Sequence, residues 1–415
     1  MNFILSSKTS CLALLLLTLL SGGCSQVSSQ RNNSPEKSDP AVQNSRADQF
    51  KKAEKQSIKV SAEALKNAKE RIAESVFHSN FLWTLGQHGI LLRVDLEKKK
   101  AAPFEFARYV ADLYINEKNE FFVLAGERAD AADWRILKKN GDDWLEVASL
   151  KRNPAQKREN DAEREIIGLA EYQNRLLVLT ETEVYRQKTE SEWRIVKLQN
   201  KGRFGLQTPF AVTDNGFIYV GINHGEFGGG LWRIDLTDGS LINIEKKTVG
   251  KICFRPLYTG CDPVTSVVKD AENPNSVLAS IGLRHFSEQG RVVRVSADDV
   301  SVAFNKIYKS DLESDKIEPA NPCEGKNEPD NLENFTSEGV FGMQSDGRSV
   351  WLVTGRAIYK FGAGSIETCA KLPDKFENVD GIGISEKVAG VILVGTDINW
   401  AKSLSGMTPL IAVKR

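Results

Sequence analysis

The sequence lacks the short motifs that usually reveal an enzyme. It has no Gly-x-Ser-x-Gly turn, no phosphate-binding glycine loop, no His-Glu-x-x-His zinc motif and no Cys-x-x-Cys pair. Histidine is also scarce, with only 4 among 415 residues. No local motif therefore indicates a reaction, and any site must arise from residues that the fold brings together.

An excess of charge of one sign is missing as well. Lys and Arg together number 55, Asp and Glu together number 55, and the calculated pI is near 6.9. A nucleic-acid-binding protein would show a basic excess, so nucleic acid is not predicted as a partner. The length and the apolar fraction of 41% fit one large globular repeat domain, and we expect a monomer.

No apolar run is long enough to span a bilayer as a helix. The longest run near the start is Cys11–Leu20, which follows Lys8 and precedes Ser21-Gly22-Gly23-Cys24. A basic start, a short apolar core and small residues before a cleavage site are typical of a signal peptide, which we predict over residues 1–23. An ordinary secretory signal is the alternative to the lipoprotein signal considered next.

The end of this segment, Leu-Leu-Ser-Gly-Gly-Cys, resembles the lipobox of bacterial lipoproteins. It departs from the usual pattern in having Ser21 three residues before the cysteine, with Leu20 one position further back. The resemblance implies that Cys24 is lipidated, and that Ser25 behind it sends the protein to the outer membrane. The expected location is the bacterial cell envelope, facing the periplasm, with the lipid as the membrane contact.

Residues 24–56 are predicted to form the lipidated cysteine and a disordered tether. Polar residues dominate there, and such a segment cannot bury enough apolar surface to offset its chain entropy. The pattern then predicts an edge strand at Ile58–Val60 and a short helix over 61–74, where Leu65 and Ile72 share an apolar face.

Four classes of short apolar segment recur from there to the end of the chain. The most apolar class, typical of strands covered on both faces, is 81–85, 121–125, 176–180, 217–221, 276–280, 350–354 and 391–395. The class that follows each of these after a loop is 91–95, 133–137, 183–186, 231–235, 291–295, 357–361 and 409–413. The class that precedes them is 110–115, 166–171, 209–214, 264–270, 340–346 and 381–386, and the clearest members of the last class are 144–150, 193–198, 240–246 and 366–372.

Four strands repeating seven times predict an all-β fold, a seven-bladed β-propeller of four-stranded antiparallel blades. The repeats resemble β-propeller proteins over residues 57–415, without a WD dipeptide or a kelch double glycine. A β-sandwich is the alternative. Stacked blades cover one another's faces, which a single blade cannot do alone. The last blade lacks a fourth strand of its own, and Ile58–Val60 is predicted to supply it.

Four cysteines remain after Cys24, an even number in an oxidising compartment. Proximity in sequence favours pairing Cys253 with Cys261, which leaves Cys323 with Cys369. Four free thiols are the alternative. The first three cysteines lie in two insertions, 247–263 and 308–339, while Cys369 lies in the last strand of blade six.

Candidate site residues gather in the loops between second and third strands, which emerge on one face of a propeller. Those loops hold His88, Asn223, His224, Glu226, Arg284, His285, Arg356, Asp397 and Asn399, and the fourth-to-first loops add Arg255, Asp262 and Asp380. His224 and His285 could bind a divalent metal ion, with Glu226 or Asp262 as acidic partner. His88 or His285 could act as an acid or base, and Arg284 and Arg356 could hold an anion. The glycines at 225 and 228–230 could let a ligand approach backbone amides closely.

Two function classes stay open at this point. The first is a non-enzymatic lipoprotein at the outer membrane, whose propeller is a binding scaffold for a protein or glycan partner. The second is a metal-assisted lyase or hydrolase that acts on a polysaccharide or another anionic substrate at the channel mouth. The absence of catalytic motifs favours the first class, and the histidine cluster favours the second.

Overall fold

The computed structural model describes most of the chain beyond residue 71. The described residues are 72–79, 81–86, 89–95, 100–103, 109–152, 166–199, 204, 208–246, 253, 255–284, 288–297, 299–311, 316–318, 321–330, 332, 337–345, 347–372, 382–388, 391–396 and 410–414. All of them belong to one compact unit, Ala47–Arg415, and the other unit, Met1–Arg46, lies outside them. No helix in these ranges is long and apolar enough to cross a bilayer.

Most of the described strands belong to seven antiparallel sheets, which we number as blades 1 to 7 in chain order. Blade 1 comprises Ile72–His78, Phe81–Gly86, Leu91–Asp95 and Lys100–Pro103. Blade 2 comprises Tyr109–Ile115, Phe121–Gly126, Asp133–Asn140 and Asp143–Lys151. Blade 3 comprises Ile166–Tyr172, Arg175–Thr180, Glu183–Gln187 and Trp193–Lys197. Blade 4 comprises Phe210–Val212, Phe217–Asn223, Gly229–Asp235 and Leu241–Ile244.

The remaining blades follow the same order. Blade 5 comprises Val264–Lys269, Ser276–Arg284, Glu288–Ser296 and Asp299–Phe304. Blade 6 comprises Val340–Ser345, Val350–Thr354, Ala357–Gly362 and Ser365–Lys371, and the described strands of blade 7 are Ile382–Val388, Val391–Thr396 and Leu410–Lys414. Between blades 5 and 6, short strands pair Lys306–Ile307 with Lys326–Asn327 and Lys309–Asp311 with Lys316–Glu318. Two 3-10 turns, Gly225–Phe227 and Pro322–Glu324, complete the described elements.

The chain is a seven-bladed β-propeller. Within each blade the strands are hydrogen-bonded in sequence order, so the first strand lies at one edge of its sheet. Each first strand contacts the first strand of the next blade, and that of blade 7 contacts that of blade 1. The first strands therefore form a closed ring around a central channel, as the seven repeats of four strands predict.

The core lies between neighbouring blades. Trp134 and Tyr185 pack in a cluster shared by blades 2 and 3, and Phe304 and Tyr359 pack in one shared by blades 5 and 6. All four side chains are less than 2% exposed. The sheets of blades 2 to 5 each bury both faces against their neighbours, so these blades need no separate second layer to cover their apolar surface.

The four-strand repeat is confirmed in blades 2 to 6, but the sequence pattern misplaced the start of blade 1. The helix predicted over 61–74 is wrong at its end, because Ile72–His78 is a strand paired with Phe81–Gly86. That pairing buries the side chain of Val76. Burial in the sheet therefore determines the structure of this segment, although the spacing of Leu65 and Ile72 also fits a helix. Residues 61–71, the predicted latch at Ile58–Val60 and the tether lie outside the described residues.

Both predicted disulfides are present. Cys253 is bonded to Cys261, and Cys323 is bonded to Cys369, with Cα–Cα distances of 5.5 and 5.6 Å. The first closes a small loop before blade 5, and the second ties the insertion before blade 6 to the outer strand of that blade. The alternative of four free thiols is therefore wrong.

Candidate functional site

The propeller has two faces that differ in what they carry. We call the face that holds the second-to-third and fourth-to-first connections the upper face, and the opposite face the lower face. Both disulfide-linked insertions belong to upper-face connections, and the lower face is formed by short turns such as Gln173-Asn174. The candidate residues predicted from sequence belong to the upper face.

One loop of blade 4 presents several of these residues to solvent. Asn223 ends the second strand, His224 precedes the 3-10 turn Gly225–Phe227, and Glu226 lies within that turn. All three side chains are exposed, and so is Phe227, at 78%. Phe227 is the most exposed large apolar side chain among the described residues of the upper face.

The glycines that follow this turn are used by the fold rather than by a ligand. The amides of Gly228, Gly229 and Gly230 donate to the carbonyls of Gly225, Thr259 and Asp262 at 2.8–3.0 Å. A Cβ atom on Gly228, whose φ is +79°, would lie 2.1 Å from the Thr259 carbonyl oxygen. The sequence-based interpretation that a ligand approaches these amides is therefore wrong for 228–230.

The segment that receives these amides is itself fixed by a buried ion pair. Arg291 Nη2 lies 2.6 Å from Asp262 Oδ2, and the two side chains are 4% and 0% exposed. Arg291 also donates from Nε to the Pro256 carbonyl and from Nη2 to the Arg255 carbonyl. Burial raises the pKa of Asp262 above its ordinary value, and the neighbouring Arg291 opposes that shift. Asp262 is thus paired with Arg291 through Oδ2, and its role as acidic partner of a metal ion stays a prediction.

A second buried polar cluster lies where the blade 6 insertion meets the upper face. Glu338 is fully buried and accepts hydrogen bonds from the hydroxyls of Tyr308, Tyr359 and Thr354. Both tyrosine hydroxyls also lie near the Pro322 carbonyl oxygen, at 3.3 and 3.2 Å. The cluster therefore joins the insertion to the second and third strands of blade 6.

Two cations flank this cluster. The guanidinium of Arg356 lies over the Tyr308 ring at 4.8 Å, and the ammonium of Lys306 lies over the Tyr359 ring at 5.1 Å. Burial lowers the pKa of Lys306, while Glu338 acts in the opposite direction. Arg356 occupies its predicted upper-face turn, with its side chain half-buried against the Tyr308 ring. Anion binding by Arg356 stays a prediction.

The other predicted site residues can be placed only in part. The backbone of Arg284 ends the second strand of blade 5. His88, His285, Asp397, Asn399 and Asp380 lie outside the described residues. The described ranges contain no group of three His, Cys, Asp or Glu side chains that could hold a metal ion. The pairing of His224 with His285 at a divalent metal stays a prediction.

The central channel forms a cavity whose lower part was not among the sites predicted from the sequence. It has a volume of about 1750 Å³ and is lined mainly by the first strands of blades 2 to 6 and by the lower-face turns that follow them. The upper-face loop of blade 4 is not part of its lining. First strands and their turns carry no distinctive motif, and only their common position in the ring brings them together.

Solved structures resemble this chain at low sequence identity. No protein-family model matches the chain, and no curated protein matches it. Among solved structures, "YCF48 bound to D1 peptide" is 10% identical with a TM-score of 0.45, covering 80% of this chain and 90% of that one. YCF48 from Cyanidioschyzon merolae is 12% identical with a TM-score of 0.42, covering 82% and 95%.

The extracellular domain of the B. thetaiotaomicron hybrid two-component system BT4673 is also similar, at 12% identity and a TM-score of 0.44. The alignment covers 83% of this chain, which spans only 38% of that protein's chain. The function of the present chain must therefore be argued from its own residues.

Proposed function

We propose that this protein is an outer-membrane-anchored lipoprotein whose propeller binds a protein partner through its upper face. The observation that carries this proposal is Phe227, an aromatic side chain 78% exposed at the tip of a loop with a fixed backbone. Aromatic side chains supply much of the binding energy of protein interfaces, because a partner's pocket removes their surface from water.

The loop's support makes Phe227 suited to this role. The Gly228–Gly230 amides are bonded to carbonyls of the same turn and of the Thr259–Asp262 segment. That segment is closed by the Cys253–Cys261 disulfide and held by Arg291. A loop that is already ordered loses little conformational entropy when a partner binds, which favours affinity. Exposed polar side chains at Asn223, His224 and Glu226 supply a rim that could set specificity.

The proposed cellular address rests on the start of the sequence. Cys24 would carry the lipid, and residues 25–56 would connect it to the propeller. Cys24→Ser should abolish labelling by a fatty-acid analogue and release the protein into the soluble periplasmic fraction. Persistent labelling of that variant would contradict the anchor.

The binding role is tested by site-specific photo-crosslinking in intact cells. A photoreactive amino acid in place of Phe227 should give one discrete adduct, whose protein component is then identified by mass spectrometry. The same substitution at Ile242, 46% exposed on an outer strand, is the matched control. The isolated partner should bind the wild-type protein. Its affinity for the Phe227→Ala variant should be at least tenfold lower, which corresponds to about 1.4 kcal/mol of binding free energy. Equal adducts at both positions, or unchanged affinity of Phe227→Ala, would contradict the proposal.

A further inference from the structure

The central channel contains a second candidate binding site, which lies on the lower face, opposite the face that carries Phe227. Its lining runs along the first strands and ends in the lower-face turns of blades 2 to 6. Seven of its described lining residues are charged, five acidic against two basic, which gives a net charge of −3: Asp112, Glu117, Glu171, Asp214, Asp270, Lys118 and Lys269. A cleft lined mainly by one sign of charge attracts the opposite charge from solution.

Two of these carboxylates, Asp112 and Asp270, have partners that belong to the framework of the blades. Asp112 Oδ2 accepts a hydrogen bond from the Leu169 amide, linking the first strands of blades 2 and 3. Asp270 binds Arg294 of the same blade at 2.7 Å. Glu117 and Asp214 lie instead in the turns after the first strands of blades 2 and 4, with side chains that are 83% and 60% exposed.

An ammonium group of the protein itself already occupies this mouth. Lys269 Nζ lies 2.6 Å from Asp214 Oδ1 and 3.6 Å from Glu117 Oε1. Blade 5, which carries Lys269, is not a neighbour of blade 2, so the side chain spans the mouth of the channel. Both ion pairs are exposed to water, and such pairs contribute little to stability. The lysine can therefore be exchanged for another cation without disturbing the fold.

The walls of the channel offer a second kind of contact. Every first strand is an edge of its sheet, so one row of its backbone amides and carbonyls faces away from the second strand. Register shifts interrupt these edges near their upper ends, between Val110 and Asp112 in blade 2 and between Val264 and Ser266 in blade 5. The lower halves are regular, and an extended polypeptide can pair with such groups.

We propose that the lower mouth of the channel binds a lysine or arginine side chain on an extended segment of a partner protein, and that Lys269 competes with that side chain for Asp214 and Glu117. Carboxylates supply the charge complement, and the regular strand edges supply backbone contacts that a small polyamine could not use. The site is separate from the Phe227 loop, so its failure would leave the upper-face proposal intact.

The test uses a fluorescently labelled tetralysine peptide with blocked ends, titrated with the full-length protein at low salt. Lys269→Met removes the competitor and should tighten binding severalfold relative to wild type. The triple variant Glu117→Gln/Asp214→Asn/Lys269→Met should bind the peptide at least tenfold more weakly than Lys269→Met alone. Lys246→Met is the matched control, because Lys246 pairs with exposed Asp299 away from the channel, and it should leave binding unchanged. Circular dichroism confirms that every variant is folded.

Three outcomes would overturn the proposal. The first is equal affinity of the wild-type, Lys269→Met and Lys246→Met proteins, and the second is binding that survives loss of both carboxylates. The third comes from competition: spermine, which has ammonium groups but no peptide backbone, should displace the peptide only at much higher concentration. Displacement by equimolar spermine, or by a neutral oligosaccharide, would assign the channel to a different class of ligand.

Discussion

The guanidinium of Arg291 and the carboxylate of Asp262 form an ion pair of 2.6 Å from which water is excluded. Arg291 belongs to the third strand of blade 5, whereas Asp262 directly follows Cys261, the last residue of the disulfide-closed segment before that blade. The pair therefore ties an upper-face connection to the sheet beneath it. Through Thr259 and Asp262, which accept amides of the glycine loop, it also supports the loop that carries Phe227.

Replacing Arg291 by methionine should lower the free energy of unfolding by about 3–5 kcal/mol, because Asp262 is left with an uncompensated buried charge. The loss should shrink as the pH falls, since a protonated Asp262 needs no cation. Lys246→Met, which breaks an exposed ion pair, should change the free energy by less than about 1 kcal/mol. Urea denaturation at pH 4.5 and pH 7 measures both effects. A loss below 1 kcal/mol for Arg291→Met would show that the pair does not hold this segment.

The glycine loop offers a comparison between two glycines with positive φ. Gly225 and Gly228 both have positive φ, +60° and +79°, but only Gly228 is crowded by backbone atoms. Gly225→Ala should cost about 1–2 kcal/mol from the left-handed conformation alone. Gly228→Ala should cost clearly more, because its Cβ must displace the Thr259 carbonyl. Denaturation curves of the two variants decide this, and equal losses would mean that the loop relaxes freely.

The fold could be predicted from this sequence because the apolar segments that form the strands recur at regular spacing. Unbroken apolar runs such as Phe121–Gly126 mark second strands that are covered on both faces, and their spacing marks the blades. The first strand of blade 1 was missed because Ile72 and Val76 also satisfy helical spacing. The segment is a strand because it pairs with Phe81–Gly86, and the local apolar spacing does not reveal that pairing.

For the candidate site, the sequence could predict which residues share one face of the propeller, but not the contacts that each residue makes. Loop position correctly placed Asn223, His224, Glu226 and Arg356, since blade topology determines which connections share a side. It could not show that Asp262 is engaged by Arg291, because the two are 29 residues apart and neither lies in a motif. Phe227 was overlooked because an apolar residue in a loop has no local signal of exposure.

The two disulfides should differ in their contribution to stability. In the chain-entropy description, the 46-residue separation of Cys323 and Cys369 corresponds to about 4 kcal/mol, and the 8-residue separation of Cys253 and Cys261 to about 2.5 kcal/mol. The paired variants Cys323→Ser/Cys369→Ser and Cys253→Ser/Cys261→Ser should therefore lose stability in that order in denaturant titrations. The reverse order would indicate that local packing, rather than loop length, dominates.

Glu338 provides the pH dependence that the structure predicts most directly. Burial raises the pKa of this carboxyl above its ordinary value of 4.5, although hydrogen bonds from Thr354, Tyr308 and Tyr359 act against the shift. Arg356 also opposes it, and Lys306 lies over the Tyr359 ring beside the carboxyl. The folded state thus favours the protonated carboxyl. Its contribution to stability is complete below about pH 4.5 and is lost as the pH rises through the raised value.

Glu338→Gln keeps the size of the side chain but cannot ionise, so it imitates the protonated form at every pH. The free energy of unfolding of this variant, relative to wild type, should rise between pH 4.5 and pH 8. The slope is limited to about 1.4 kcal/mol per pH unit for one proton. Glu367→Gln, which alters a half-exposed carboxylate paired with Lys360, is the control and should show a much flatter difference. If the Glu338→Gln difference is as flat as that of the control, the carboxyl keeps its charge throughout this range, and hydrogen bonds rather than burial determine its state.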